Sequence, residues 1–254
     1  MIELCALASG SNGNCYYIGT EDEAILIDVG VSRKQVLQRM QEKGLDSKKI
    51  KGIFISHEHA DHTRGVKILG KCLNIPVYMT KGTFENTWNP NRSGAYGLFM
   101  PGKSLQLGKF TIHPFLKKHD AANPCSFRVE VNGKNIGVMT DIGEVCENVS
   151  HHFSLCNAVF LESNYDKTML IEGSYPFHLK ERVLSSVGHL SNEQAFELTK
   201  NHANPELQHI ILSHLSGENN TPEIAFNTFK SLENLYSLHL TDRNAASEII
   251  NLQH

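Results

Sequence analysis

Directly after the apolar run Ile53-Phe54-Ile55 the chain reads S-H-E-H-A-D-H-T-R-G, which crowds His57, Glu58, His59, Asp61 and His62 into six residues. Imidazoles and carboxylates packed on one turn compete for protons and cost stability unless a cation binds them. The stretch therefore reads as a metal site at the carboxyl end of a strand. His119, Asp141 and His214 follow three further strand-like runs. Ligand-type residues at four strand ends converge on one cleft when the strands belong to packed sheets. Imidazole and carboxylate donors without thiolates suit Zn²⁺, Mn²⁺ or Fe at a hydrolytic site.

Elements of both periodicities are needed to hold these residues. Residues 2–8, 16–18 and 24–27 predict an antiparallel meander, with the turn-rich loop S-G-S-N-G-N between the first two. That loop lacks the lysine and spacing of a phosphate-binding P-loop, and it reads either as a plain hairpin loop or as a lining of the site. Ser32 caps a helix in which Val36, Leu37, Met40 and Leu45 recur, and Gly44 is its stop. Residues 53–55 begin a strand, turn and helix unit whose helix carries Val66, Ile68 and Leu69. A short strand at 76–79, a short helix at 82–88 and an irregular segment at 89–101 that could fold over a cleft come next.

Strands follow at 110–115, 127–131 and 135–139, the last two joined by an Asn132-Gly133 hairpin turn. Residues 157–161 form a buried strand ending at Glu162, and a polar helical region runs towards Gly188. Ser191 and Gln194 form a capping box at the start of a helix ending near His202. A strand at 209–212, a helix around 225–229 and a strand at 238–240 complete the pattern.

With 254 residues, 40% hydrophobic and 20% charged, the composition is that of an ordinary soluble globular chain, and no linker divides it, so one domain over 1–254 is expected. No apolar run approaches a membrane span and M-I-E-L-C is not a signal-peptide start, so a cytoplasmic location without membrane association is expected. The six cysteines form no C-x-x-C pair and read as free core thiols. A net charge of -3 argues against a protein coated in positive charge, yet leaves room for a nucleic-acid substrate met by a local basic patch and bound metals. The 14 histidines stand out more than any total.

The string H-x-H-x-D-H, with Asp28 before it and His119, Asp141 and His214 after it, resembles the metallo-β-lactamase superfamily over nearly the whole chain. The resemblance implies an α+β, four-layer αβ/βα sandwich of two mixed β-sheets with helices on the outer faces. It implies that His57, His59 and His119 hold one divalent metal, that Asp61, His62 and His214 hold a second, and that Asp141 bridges them. Zn²⁺ or Mn²⁺ is expected first, with Fe and Mg²⁺ as alternatives. Two metals roughly 3.5–4 Å apart share a hydroxide of lowered pKa and neutralise charge in the transition state; Asp61 is expected to orient it. His59 in place of a carboxylate departs from the diiron redox branch, whose motif is H-x-E-x-D-H.

The branch is suggested by R-V-L-S-S-V-G-H-L-S-N, which resembles the G-H-[AL]-S signature of nuclease branches and places His189 at the scissile phosphate. A structural histidine at a helix start is the plainer reading of the same residue. With the S-G-S-N-G-N loop, T-D-I-G around Asp141 and L-E-S-N-Y-D around Glu162, the chain looks most similar to the YycJ/WalJ-type family of compact bacterial proteins. The implied function is a phosphodiesterase acting on DNA, an exonuclease working 5′ to 3′ on double strands. An RNA-processing nuclease, a thioester or lactone hydrolase of the same fold, and a metal-stabilised regulatory protein are the alternatives. The chain departs from that family where Pro124-Cys125-Ser126 replaces its usual glycine.

Arg182 is a candidate phosphate contact, as are Lys117 and Lys118, although lysine pairs are usually a solvated face. Trp88 and Tyr96 are candidates for stacking on bases. Asp120, Glu162 and Asp166 are candidates to orient ligand histidines.

Overall fold

The computed structural model describes residues 1–87 and 95–253. In chain order it contains β1 (Ile2–Ala8), β2 (Cys15–Gly19), β3 (Ala24–Ile27), α1 (Arg33–Glu42), β4 (Ile50–Phe54), α2 (Ala60–Thr63), α3 (Val66–Leu73), β5 (Val77–Met79), α4 (Lys81–Asn86) and β6 (Tyr96–Leu98). The second half contains β7 (Leu105–Leu107), β8 (Phe110–Leu116), β9 (Cys125–Val131), β10 (Lys134–Met139), α5 (Glu147–Phe153), β11 (Ala158–Glu162), α6 (Lys167–Glu172), α7 (Phe177–Leu184), α8 (Asn192–His202), β12 (His209–Ser213), α9 (Pro222–Phe229), β13 (Ser237–Leu240) and β14 (Ile250–Leu252).

Two seven-stranded sheets result, ordered β14-β1-β2-β3-β4-β5-β6 and β13-β12-β11-β10-β9-β8-β7. Each is mixed: β14, β1, β2 and β3 pair antiparallel and β3 to β6 parallel, while β7 to β10 pair antiparallel and β10 to β13 parallel. Strand alternation sorts the side chains into layers. Ile2, Leu4, Ala6 and Phe54 enter a core between the sheets with Phe127 and Phe160. Their neighbours Cys5, Leu7, Ile53 and Ile55 face the other way, under Val36, Met40 and Leu69 of the first pair of long helices. Phe115, Leu161 and Leu212 do the same beneath Phe153, Leu198 and Phe229. Period-2 strands buried on both faces thus give the four-layer αβ/βα sandwich, each buried aromatic or aliphatic side chain contributing about 1.5–3 kcal/mol.

Several elements differ from the sequence expectation. Residues 96–98, expected to be irregular, form strand β6 at the sheet edge; residues 88–94, including Trp88, lie outside the described residues. The Tyr96 ring sits 5.9 Å from Phe84 and is packed down rather than presented for stacking. Strands β7 and β14 and helices α2 and α5 carry no pattern long enough to be read from sequence. Pro124-Cys125 causes no break, because the Cys125 amide donates to the Ser56 carbonyl at 3.0 Å.

All six cysteines are free, but Cys72 is exposed and Cys146 half-buried, against the expectation of uniformly buried thiols. Burial pushes the Cys125 and Cys156 thiols up to about 12. In a thiol-titration assay on native protein Cys72 is expected to react at least tenfold faster than these two, since the thiolate is the nucleophile and access limits the rest. Equal rates for the Cys72→Ser variant and the parent would refute this.

Candidate metal centre

Each candidate ligand lies just beyond a strand, and two of the turns that deliver them share an unusual backbone with the turn that carries Asp28. Asp28 after β3, Asp141 after β10 and His214 after β12 have φ of 60°, 55° and 56°. Asp and His are among the few residues other than glycine found in this left-handed region, at a cost of about 1–2 kcal/mol. The conformation turns the chain off the sheet edge and drops the side chain into the space between the two sheets. His57 to His62 occupy the turn after β4 and helix α2, pinned by Asn14 N–H to Asp61 O at 2.7 Å and Val29 N–H to His62 O at 2.9 Å.

Two groups form. Donor atoms of His57, His59 and His119 lie within 4.8 Å of one another, and so do those of Asp61, His62, Asp141 and His214. Asp141 stands between them, Oδ1 3.8 Å from His119 Nε2 and Oδ2 3.3 Å from His62 Nε2. The first sheet supplies four of these seven residues and the second supplies His119, Asp141 and His214.

The outward nitrogen of each histidine is held by an acceptor, which fixes its tautomer and leaves the other nitrogen facing the centre. His62 Nδ1 donates to Asp28 at 2.7 Å, His119 Nδ1 to Gly188 O at 3.1 Å, His214 Nδ1 to Glu162 at 2.9 Å and His59 Nε2 to Asp120 O at 3.2 Å. His57 Nδ1 bonds Ser56 Oγ at 2.9 Å, and that hydroxyl donates to Asp28 at 2.8 Å. Asp28 is thus the shared orienter of two histidines, a role the sequence reading missed although it had singled the residue out. The signal was present: an Asp closing a buried strand one turn from a histidine cluster.

A divalent cation fits this donor set. Among the described residues the inward Nε2 of His119, Nε2 of His214 and Oδ2 of Asp141 are buried and make no hydrogen bond, an arrangement that is costly unless something else satisfies them. Electrostatics point the same way. Burial drives His57 well below its usual value, helped by His62 and Lys117, and takes His119 down to about 4, so both are neutral donors. Burial raises Asp61 and Asp141, but His62 and His214 outweigh it, holding Asp61 at about 2 and Asp141 well below the carboxylate range.

The S-G-S-N-G-N loop lines the site. Asn14 is fully buried; its Oδ1 accepts from Gly10 N–H at 3.0 Å and Tyr16 O–H at 3.1 Å. Its amide NH₂ must therefore face Asp61 Oδ2 and His62 Nε2, at 3.4 and 3.1 Å.

His189 follows Gly188, whose lack of a side chain is required: a Cβ there would lie 2.2 Å from Val183 O. Its Nδ1 donates to Glu162 at 2.8 Å, beside His214, so that one carboxylate oxygen holds both rings. The second Glu162 oxygen accepts from the amides of Ile142 and Leu190, at 2.7 and 3.1 Å. Burial lowers the His189 pKa, but Glu162 and Asp141 raise it more, leaving it above the ordinary value. With 18% of its side chain exposed, the ring borders the cleft. Arg182 is at the rim, its Nε donating to Asp120 Oδ2 at 2.6 Å.

Other candidates are placed elsewhere. Lys117 is buried with Nζ on Thr140 O at 2.6 Å, and Lys118 pairs with Glu144, so neither is open to a phosphate. Asp166 caps α6 by accepting from Met169 N–H and does not touch the centre. Glu58 accepts the Ala122 amide at 2.7 Å and takes no place among the donors.

The sandwich and the centre at its sheet ends define a metallohydrolase class, and residues 23–214 match the β-lactamase superfamily domain. The chain belongs to the metallo-β-lactamase superfamily, and it is an enzyme, a hydrolase whose fold implies divalent metal binding. It is 34% identical over 231 residues to the exodeoxyribonuclease YycJ of Bacillus anthracis, which covers 88% of this chain and 86% of that one. It is 33% identical over 227 residues to the exodeoxyribonuclease WalJ of Streptococcus pneumoniae, covering 87% and 84%. The crystal structure of the metallo-β-lactamase fold protein YhfI from Bacillus subtilis superposes with a TM-score of 0.74 at 16% identity, over 99% of this chain and 100% of that one. Among the described residues no helix is long and apolar enough to cross a membrane.

Proposed function

We propose that the chain is a dinuclear metal-dependent phosphodiesterase whose substrate is DNA, an exonuclease that degrades double strands 5′ to 3′ in the cytoplasm. The observation that carries this reading is His189, held by Glu162 at 2.8 Å beside the ligand groups with 18% of its side chain exposed. The names of the similar Bacillus and Streptococcus proteins support the same substrate class.

His57, His59 and His119 would hold one ion and Asp61, His62 and His214 the other, with Asp141 shared; Zn²⁺ or Mn²⁺ suits these donors. Such ions lower the pKa of water towards neutrality and neutralise charge on phosphoryl oxygens. Asp61, steadied by Asn14, orients the attacking water. As the imidazolium that Glu162 stabilises, His189 donates from Nε2 a hydrogen bond to a phosphoryl oxygen or a proton to the leaving alkoxide, while its Nδ1 proton stays hydrogen-bonded to Glu162. Arg182, anchored by Asp120, keeps its terminal N–H groups for a phosphate.

The test uses 5′- and 3′-labelled single- and double-stranded DNA and RNA in Mn²⁺, Mg²⁺ and Zn²⁺, with His59→Ala as a metal-dead control. Shortening from the 5′ end of duplex DNA is expected. His189→Ala is expected to lower phosphodiester cleavage about 10²–10⁴-fold while metal content stays unchanged. A protein that loads two ions, leaves every nucleic acid intact and hydrolyses thioesters would overturn the reading.

A further inference from the structure

The rim of the centre carries positive charge of two kinds. Beside the His57, His59 and His119 group, Arg182 and Lys118 are each matched to a carboxylate, of Asp120 and Glu144. Beside the Asp61, His62, Asp141 and His214 group, two arginines are matched to none. Arg64 Nη1 donates to the backbone oxygen of Asn12 at 2.9 Å, and Arg243 Nη2 donates to the Asn12 side-chain oxygen. Neither guanidinium enters an ion pair among the described residues. The nearest acidic neighbour in sequence, Asp242, spends its carboxylate on the Asn244 amide at 2.6 Å.

All three residues are tied to ligand-bearing segments. Arg64 caps α2, which carries Asp61 and His62. Asn12 is exposed at the tip of the loop whose Asn14 reaches those two residues. Arg243 crosses between that loop and the one after His214, packed against Gly217 and Gly10. A Cβ on Gly217 would fall 1.6 Å from Arg243 Nη1, and one on Gly10 3.3 Å from its Cγ. A cavity of about 300 Å³ lined by Ser216, Gly217, Thr241 and Arg243 opens next to it. A guanidinium with one donor on a neutral oxygen keeps its full charge and its other N–H groups, the arrangement suited to a phosphate.

We propose that Arg64 and Arg243, joined through Asn12, form a phosphate-binding ridge that holds the backbone of the nucleic-acid strand alongside the Asp61, His62, Asp141 and His214 group. The proposal rests on the phosphodiesterase reading above and adds where the polyanion lies. It also gives a chain of net charge -3 a local site for DNA, two arginines without a carboxylate partner at one lip of the centre.

The experiment measures anisotropy of a fluorescein-labelled DNA duplex with phosphorothioate linkages between about 50 and 200 mM KCl. It compares the parent, Arg64→Gln, Arg243→Gln, the double variant, and Lys230→Gln, which removes an exposed charge from the far end of α9. Each arginine variant is expected to reduce the slope of log affinity against log salt by about one, and the double variant to bind roughly tenfold or more weakly at ~150 mM. Melting temperatures should stay level and Lys230→Gln should match the parent. An unchanged slope in a double variant, while the parent cleaves DNA, would overturn the ridge and leave the nuclease reading standing. A lower melting temperature for Arg243→Gln with unchanged binding would make the arginine a clamp between loops and likewise overturn it. A parent that neither binds nor cleaves any DNA would overturn both proposals.

Discussion

Glu162→Gln is expected to disable the centre although it removes no candidate ligand. One Glu162 oxygen accepts from His189 Nδ1 and His214 Nδ1, and the other accepts from the Ile142 and Leu190 amides. All four partners are donors, and the carboxylate is fully buried and held at about 2, where burial would raise it but His189 and His214 outweigh that. A glutamine has one acceptor oxygen, so its NH₂ must face either two ring N–H groups or two amides. Leaving buried donors unpaired and two imidazoles without their counter-charge costs about 3–5 kcal/mol. At ~2–4 °C per kcal/mol in a chain of this size, the melting temperature should fall by about 6–20 °C. His214 loses its orienter, and metal affinity should drop about 10–100-fold. Cleavage should fall by more than the loss of metal explains, because His189 is released by the same change. Calorimetric metal titration, thermal melts and turnover at saturating metal separate the three effects. A variant with parental turnover and melting temperature would show that Glu162 only fills space.

The second large effect belongs to Gly30→Ala. A methyl group there would lie 1.5 Å from Asp61 O and 2.6 Å from Asn14 N, where contacts of about 3.4–4 Å are ordinary. Both atoms are backbone and already bonded to each other at 2.7 Å, so the turn carrying Asp61 must move by about 2 Å or the loop must open. Overpacking of this kind exceeds the usual 1–3 kcal/mol and moves a carboxylate whose position is its function. Metal content and activity are expected to collapse together. Gly44→Ala is the contrast, since nothing lies within 4 Å of its Cβ and only a φ of +69° opposes it. That torsional penalty is about 1 kcal/mol. Comparable metal loading in both variants would show that the close packing of Gly30 against Asp61 is dispensable.

What could be read before any coordinates were known followed local physics. The alternation of residues 2–8, the Ser32 cap, the Ser191 capping box and the Asn132-Gly133 turn are decided within a few residues, and all are present as expected. The crowding of His57 to His62 was legible for the same reason, and so was the placing of His119, Asp141 and His214 past strand ends. What escaped depends on partners far away in sequence. Strand β14 has three residues and exists because it pairs with β1 across the whole chain. Glu162 was expected to orient ligand histidines, but nothing in its own neighbourhood shows which two it holds, at separations of 27 and 52 residues. The anchoring of Arg182 by Asp120, 62 residues away, cannot be read from spacing. The difference between Lys117, buried on Thr140 O, and Lys118, on the surface, is settled by the pleat of one strand end.

The donors of the centre come from both sheets, which gives the proposed ions a role in chain topology. Each would link residues from separate halves, His57 to His119 in one case and Asp61 to His214 in the other, closing loops comparable to those closed by a long-range disulfide. In the chain-entropy account a cross-link over about 100 residues restricts the unfolded ensemble by some 4–5 kcal/mol at 25 °C. A coordinate bond does the same, but reversibly and in proportion to free metal. The metal-loaded and chelated forms would then differ as a looped polymer differs from a linear one, and the seam between the sheets would be fastened from the end where the chemistry takes place.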